Sequence, residues 1–156
     1  MTLADFTEPN LLVPELLNES QESAIAELSH RLKDAGRVKN AHEFTSAVLN
    51  HESLVSTVFD GVAFSLARGH TATELSFAIG LSQYGIRWGK NKASPVFVVV
   101  LFAIPASEER AYLSVILTFS TLLNDKNLFS TLRQSKHPEE MFEILTQASL
   151  GETGRD

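Results

Sequence analysis

One stretch of the sequence brings together side chains that could do acid/base chemistry. His51 and Glu52 lie close to Ser56 and Thr57, so an imidazole, a carboxylate and two hydroxyls occur within seven residues. If the fold placed them in one cleft, they could form a proton-transfer cluster. Taken alone, the same side chains are more typical of a helix end, which they cap and terminate. The stretch is therefore a candidate site that depends on its surroundings.

Two other patterns do not meet the requirements of the sites they suggest. The segment 85–91 has two glycines followed by Lys90, but it is one residue short of a phosphate loop and has Asn91 where such a loop has Ser or Thr. We expect a turn there. The histidines are His30, His42, His51, His70 and His137. No two of them have the spacing of metal ligands on one helix, so we expect no metal and no other cofactor.

Composition narrows the class of protein. The chain has 156 residues, 44% of them apolar, with 13 basic and 19 acidic side chains and no cysteine. This is typical of one globular domain without disulfides. The net charge of −6 and a pI near 5.3 disfavour nucleic-acid binding. We find no secretory signal, and the longest apolar run, 96–104, is far too short to cross a membrane. We therefore expect a cytoplasmic protein without membrane insertion.

The first part of the chain predicts two helices. Ser20 can cap a helix with apolar residues at three- and four-residue spacing, and Gly36 is placed to end it. Asn40 and Glu43 form a capping-box pattern for a second helix, which we expect to end near 50–51.

The centre of the chain predicts strands. Residues 61–66 and 75–81 alternate in hydrophobicity and are separated by a predicted loop at 67–70. Residues 95–105 are framed by prolines and rich in β-branched and aromatic side chains, which indicates a strand covered on both faces. We expect that strand to be central in the sheet.

Helices return after this strand. Ser107 is placed to cap a long helix, Asp125 to begin a shorter one, and Pro138 to open a last one. Helices on both sides of a group of strands imply an α/β fold, a three-layer α/β/α sandwich around a small mixed sheet. We expect one domain over residues 1–150 and a flexible tail at 151–156.

Several separated blocks resemble enzyme IIA of the fructose/mannitol type, including its nitrogen-regulatory branch, from the bacterial phosphoenolpyruvate-dependent phosphotransferase system. Residues 61–66 read Gly-Val-Ala-Phe-Ser-Leu where the family typically reads Gly-Ile-Ala-Ile-Pro-His. The other blocks are residues 52–57, 78–81, 85–88, 95–96, 103–105, 122–125 and 141–145. The resemblance spans nearly the whole chain and implies a phosphocarrier, in which a histidine passes a phosphoryl group between proteins.

The resemblance also marks where this chain departs from the family. It places Leu66 at the phospho-acceptor histidine, His51 at a phosphate-neutralising arginine, and Tyr112 at a second histidine. Leucine has no lone pair with which to attack phosphorus, so the family chemistry is impossible at that residue. The possible binding residues that remain are Glu52, Ser56, Thr57, Ser65 and Arg68.

Three functions stay open at this point. The first is a regulatory domain that is not phosphorylated and docks a protein partner through the former phosphotransfer face; that partner would be the phosphocarrier protein, a permease domain or a regulated target. The second is an active phosphocarrier that uses His70 instead. The third is a small-molecule or anion sensor with Ser65, Leu66 and Tyr112 as walls of the cleft.

Overall fold

A computed structural model describes residues 1–17, 20–55, 57–69, 71–89 and 95–151. Short 3-10 turns at Leu3–Phe6 and Pro9–Leu11 precede the regular elements. Those elements are β1 (Leu12–Val13), α1 (Gln21–Asp34), α2 (Ala41–Leu54), β2 (Val58–Phe59), β3 (Val62–Arg68), β4 (Ser76–Arg87), β5 (Pro95–Ile104), α3 (Glu109–Asn124), α4 (Lys126–Arg133) and α5 (Pro138–Leu145).

Local capping chemistry sets most of the helix starts. The side chains of Ser20, Asn40 and Asp125 each accept a hydrogen bond from a backbone N–H in the first turn of α1, α2 and α4. These predicted caps are confirmed. The predicted cap at Ser107 is wrong, because a 3-10 turn over Ala106–Glu108 intervenes and α3 begins without a side-chain cap. Helix α2 also runs to Leu54, beyond the predicted end.

The strands form a mixed sheet in the order β1-β4-β5-β3-β2. Strand β5 lies parallel to β3 and antiparallel to β4, so its predicted central position is confirmed. The predicted turn at 85–91 is wrong as far as Arg87, because β4 continues to that residue after a register shift between Leu81 and Ile86. Residues 90 and 91 lie outside the described residues. Gly85 has a φ of +91° there, which a residue with a side chain rarely adopts.

Helices cover both faces of the sheet. One face packs with α1 and α2 around an apolar cluster that includes Ala63 and Ala67 of β3. The other face packs with α3, α4 and α5 around a cluster that includes Val62 and Leu66. The alternation along β3 therefore separates two cores, and the predicted three-layer α/β/α sandwich is confirmed.

An aromatic cluster fixes α3 against the sheet. The Phe119 ring lies 5.0 Å from that of Phe77, 5.7 Å from that of Phe102 and 6.0 Å from that of Phe64, measured between ring centroids and packed edge to face. Because Phe119 is 1% exposed, this contact sets the distance between α3 and β3, where the candidate site lies. Among the described residues, no helix is both long and apolar enough to cross a lipid bilayer.

Candidate functional site

A cavity of about 520 Å³ lies beside β3 and is lined by residues of that strand, of α3 and of the chain around the end of α2. It brings together five of the predicted site residues, although they are distant in sequence. Its lining consists of His51, Val55, Thr57, Phe59, Phe64, Leu66, Arg68, Tyr112, Ile116, Ser120, Leu123 and Asn124. The predicted site residues within that lining are His51, Thr57, Leu66, Arg68 and Tyr112.

Strand alternation places Leu66 in this cavity and Ser65 outside it. Leu66 is 7% exposed and belongs to the core on the α3 side, together with its neighbour Phe64. Ser65 is fully buried, and its hydroxyl has no partner among the described residues. Successive side chains of a strand point to opposite faces, so Ser65 faces the α1 and α2 layer. The expectation that Ser65 forms a wall of the cleft is wrong for this reason.

Arg68 is held by an ion pair across the end of the cavity. Its Nε and one terminal nitrogen donate hydrogen bonds of 2.8 and 2.9 Å to the two carboxylate oxygens of Glu109. This hydrogen bonding lowers the pKa of Glu109 and raises that of Arg68, so both groups stay charged. The segment 67–70 was expected to be a loop, but β3 extends to Arg68 and thereby points the guanidinium at the start of α3.

Glu109 is a site residue that sequence reasoning missed. The helix dipole already explains a glutamate in the first turn of α3. The sequence therefore does not indicate that Glu109 pairs with Arg68, 41 residues earlier. A pattern of one basic residue at a strand end and one acidic residue at the start of the next helix is the feature that could have indicated the pair.

Tyr112 lines the cavity together with Leu66. Its side chain is 7% exposed, and its ring packs edge to face on that of Phe102, with 5.2 Å between centroids. Burial raises the pKa of the Tyr112 phenol, and the positive charge of Arg68 opposes only part of that rise. The Arg68 guanidinium carbon lies 5.6 Å from the centre of the ring. The phenol is therefore neutral at physiological pH and offers a hydroxyl rather than a charge.

His51 lies at the end of α2 and contributes an imidazole to the cavity. Its Nδ1 atom is buried and has no hydrogen-bond partner among the described residues. A proton on that nitrogen would be a buried donor without an acceptor, which is unfavourable. We therefore expect the neutral ring to carry its proton on Nε2.

Glu52 lies behind the cavity and positions the residues around it. Its carboxylate accepts hydrogen bonds from the Thr57 hydroxyl at 2.8 Å, from the Trp88 indole at 3.0 Å and from the Gln21 amide at 3.4 Å. The Thr57 proton is therefore directed away from the cavity, and its oxygen can act there only as an acceptor. Glu52 itself is not part of the cavity lining, in contrast to the expectation that it contacts a ligand.

Two of the predicted site residues, Ser56 and His70, lie outside the described residues, as does the predicted tail beyond Gly151. Within the described part of the chain, no group of three or more histidine or acidic side chains is arranged to hold a metal. A larger groove of about 900 Å³ runs between α4 and the bulged part of β4, but none of the predicted site residues that the structure describes lines it. Five of the predicted site residues therefore lie together at the smaller cavity.

Comparison with known proteins gives a consistent result. Residues 5–148 match the family model described as "Phosphoenolpyruvate-dependent sugar phosphotransferase system, EIIA 2". Among curated proteins, the chain is 28% identical over 149 residues to the PTS system 2-O-alpha-mannosyl-D-glycerate-specific EIIABC component of Escherichia coli. That match covers 93% of this chain but only 22% of the relative. The chain thus spans about a fifth of the length of this curated relative.

Solved structures of low sequence identity share the fold. The nitrogen regulatory protein IIA-Ntr from Neisseria meningitidis superimposes with a TM-score of 0.80 at 17% identity, covering 92% of this chain and 98% of that one. Enzyme IIA of the mannitol system of Escherichia coli, solved in complex with phosphorylated enzyme IIB, gives a TM-score of 0.71 at 19% identity. That match covers 88% of this chain and 95% of the other. At these identities the likeness concerns the fold alone.

Proposed function

The chain belongs to the EIIA 2 family of the phosphoenolpyruvate-dependent sugar phosphotransferase system, and we propose that it is a regulatory or docking version that carries no phosphoryl group. One observation carries this proposal. Leu66, which the resemblance aligns with the acceptor histidine, lines the same cavity as four other predicted site residues, His51, Thr57, Arg68 and Tyr112. The leucine side chain has no lone pair with which to attack phosphorus, so the step that defines a phosphocarrier has no acceptor at this residue.

The charges around Leu66 support the same conclusion. A phosphoryl group carries negative charge that needs cationic or hydrogen-bonding donors. Arg68 is already paired through two hydrogen bonds with Glu109, and the Thr57 proton is donated to Glu52. Two of the groups nearest to a phosphoryl group at this residue are therefore already engaged within the protein.

A role in recognition requires a protein partner, and relatives act alongside other phosphotransferase domains, as the mannitol IIA in complex with phosphorylated IIB does. For this chain we propose a partner that docks over the cavity: the phosphocarrier protein, a permease domain or a regulated target. Such a partner would place this domain in the cytoplasm. Val55 and Phe59, which are 50% and 67% exposed at the cavity mouth, provide apolar surface for that contact.

Reconstitution with the phosphoryl donor tests the proposal directly. The chain is incubated with phosphoenolpyruvate, the first enzyme of the system and the histidine-containing carrier, and its intact mass is measured. We expect no phosphoryl increment. A stoichiometric, acid-labile increment would refute the proposal, and peptide mapping would then show whether His70 or His51 carries it.

A pair of histidine variants gives a matched control. Leu66→His combined with His51→Arg restores the family residues within the cavity, and we expect this variant to gain a phosphoryl group. Leu113→His adds an imidazole at a residue of α3 that is 52% exposed and outside the cavity lining, and it is expected to stay unmodified. Labelling of both variants alike would show that the added imidazole reacts without help from the cavity.

A further inference from the structure

We propose that the cavity beside β3, where Leu66 and Tyr112 face the closed Arg68–Glu109 pair, binds an uncharged, mostly apolar small molecule rather than a phosphoryl group or another anion. This inference rests on the proposed function in one respect, namely that the cavity no longer serves phosphoryl transfer. It adds a ligand class that would make the domain responsive to a metabolite.

The size and lining of the cavity fit such a ligand. Its volume of about 520 Å³ lies within the range of small-molecule sites, roughly 300–1,000 Å³. Most of the lining side chains are hydrocarbon or aromatic. They are Val55, Phe59, Phe64, Leu66, Tyr112, Ile116 and Leu123. Apolar ligand surface transferred from water into this lining is stabilised in proportion to the area buried.

The electrostatics of the cavity disfavour an anion. Each Glu109 carboxylate oxygen accepts a hydrogen bond from Arg68, so the pair has no net charge. An anion that approached Arg68 would have to displace Glu109 or lie beside its carboxylate. Tyr112 is a neutral phenol, and Thr57 presents an oxygen whose proton is already donated to Glu52. An uncharged ligand meets none of these costs.

The remaining polar groups define one further property of the ligand. Thr57 can only accept a hydrogen bond inside the cavity, because Glu52 receives its proton. An N–H or O–H donor on an apolar ligand body can therefore pair with Thr57, and the other polar groups of the lining, His51, Tyr112, Ser120 and Asn124, can add hydrogen bonds without requiring a charge on the ligand. This combination of one donor and a large apolar surface also describes a convenient fluorescent probe.

Two probes with the same aromatic skeleton test the charge preference. N-phenylnaphthylamine is neutral and has one N–H donor, whereas anilinonaphthalene sulfonate carries an added negative charge. Fluorescence titration of the full chain is expected to show the neutral probe binding at least about tenfold more tightly, a difference of about 1.4 kcal/mol. Equal or tighter binding of the sulfonate, or no binding of the neutral probe, would overturn the inference.

Neighbouring residues of α3 provide matched variants for the location of the site. Ile116 lines the cavity, whereas Leu117 is 63% exposed and does not. Ile116→Trp should fill the cavity and weaken the neutral probe at least about tenfold, while Leu117→Trp should leave it within about twofold. If Ile116→Trp does not fold, Ser120→Phe takes its place as the lining variant, because Ser120 is exposed and also lines the cavity. Equal weakening by the lining and exposed variants would place the probe elsewhere and overturn the inference.

A charge variant tests the electrostatic reasoning separately. Glu109→Gln leaves Arg68 without its carboxylate partner, so the sulfonate probe should gain affinity roughly tenfold relative to the neutral probe. An unchanged ratio of the two affinities would contradict the role given to the ion pair. The phosphorylation assay remains independent: a phosphoryl increment would refute the proposed function, whereas failure of the neutral probe would refute this ligand class alone.

Discussion

Glu52 is expected to contribute more to the stability of this protein than any exposed carboxylate. Its side chain joins three elements, because it accepts hydrogen bonds from Gln21 at the start of α1, from Thr57 before β2 and from Trp88 after β4. Glu52→Ala removes all three acceptor contacts without disturbing the apolar core. We expect it to lower the free energy of unfolding measurably.

The magnitude follows from the exposure of each donor. Trp88 is 4% exposed, so its indole N–H would lose its partner where water cannot replace it, at a cost of about 1–3 kcal/mol. Thr57 is half-buried and can turn towards water, so its loss adds only about 0.5 kcal/mol. The 3.4 Å contact with Gln21 is too long to add much. Glu52→Ala should therefore destabilise the protein by about 2–3 kcal/mol.

Urea denaturation with a double-mutant cycle measures this contribution. Glu52→Gln keeps one acceptor oxygen and should lose only about 1 kcal/mol. In a Trp88→Phe background, Glu52→Ala should cost at least about 1 kcal/mol less than in the parent, since the indole donor is already gone. A loss below about 0.5 kcal/mol in the parent, at unchanged denaturant slope, would refute the reasoning.

Three further measurements address the core, a strand and the ion pair. Phe119→Ala should lower the free energy of unfolding by about 3–5 kcal/mol, because it empties the centre of the aromatic cluster. Phe59→Ala, at an exposed ring, should lower it by less than about 1 kcal/mol. Equal losses of the two variants in urea denaturation would contradict the packing described for Phe119. Gly85→Ala should lower the thermal midpoint more than Gly89→Ala. Both glycines have a positive φ, but only at Gly85 would the new Cβ come within 2.9 Å of another side chain. Glu109→Gln should lower the free energy of unfolding by less than about 1 kcal/mol near neutral pH, because the ion pair is exposed. This difference from the parent should shrink as the pH falls from above the ordinary glutamate pKa through the lowered pKa of Glu109. A stability difference between Glu109→Gln and the parent that grew as the pH fell would contradict this reasoning.

Local chemistry explains which parts of the fold could be predicted from the sequence. The caps at Ser20, Asn40 and Asp125 depend on atoms three residues apart, so the sequence alone contains the whole interaction. The central strand β5 was recognisable because both of its faces are covered and almost every residue is apolar. The end of β4 was not, because its register shift depends on pairing with β5.

The candidate site was also only partly predictable from the sequence. The interpretation of Leu66, Tyr112 and His51 as neighbours came from the resemblance, and in the structure all three line the same cavity. The ion pair of Arg68 with Glu109 joins a strand end to the following helix, a contact that no local pattern specifies. Ser65 was misplaced because the resemblance gives alignment but not the facing of each side chain, which the pleat of β3 decides.

The alternation along β3 has a consequence for how such a domain can change over generations. A replacement at position 66 is felt in only one of the two cores, because the adjacent residues of the strand, Ser65 and Ala67, belong to the opposite layer. The α1 and α2 layer therefore keeps its packing whichever side chain stands there. A lineage can thus exchange the residue at position 66 while one of the two cores of the domain stays as it was.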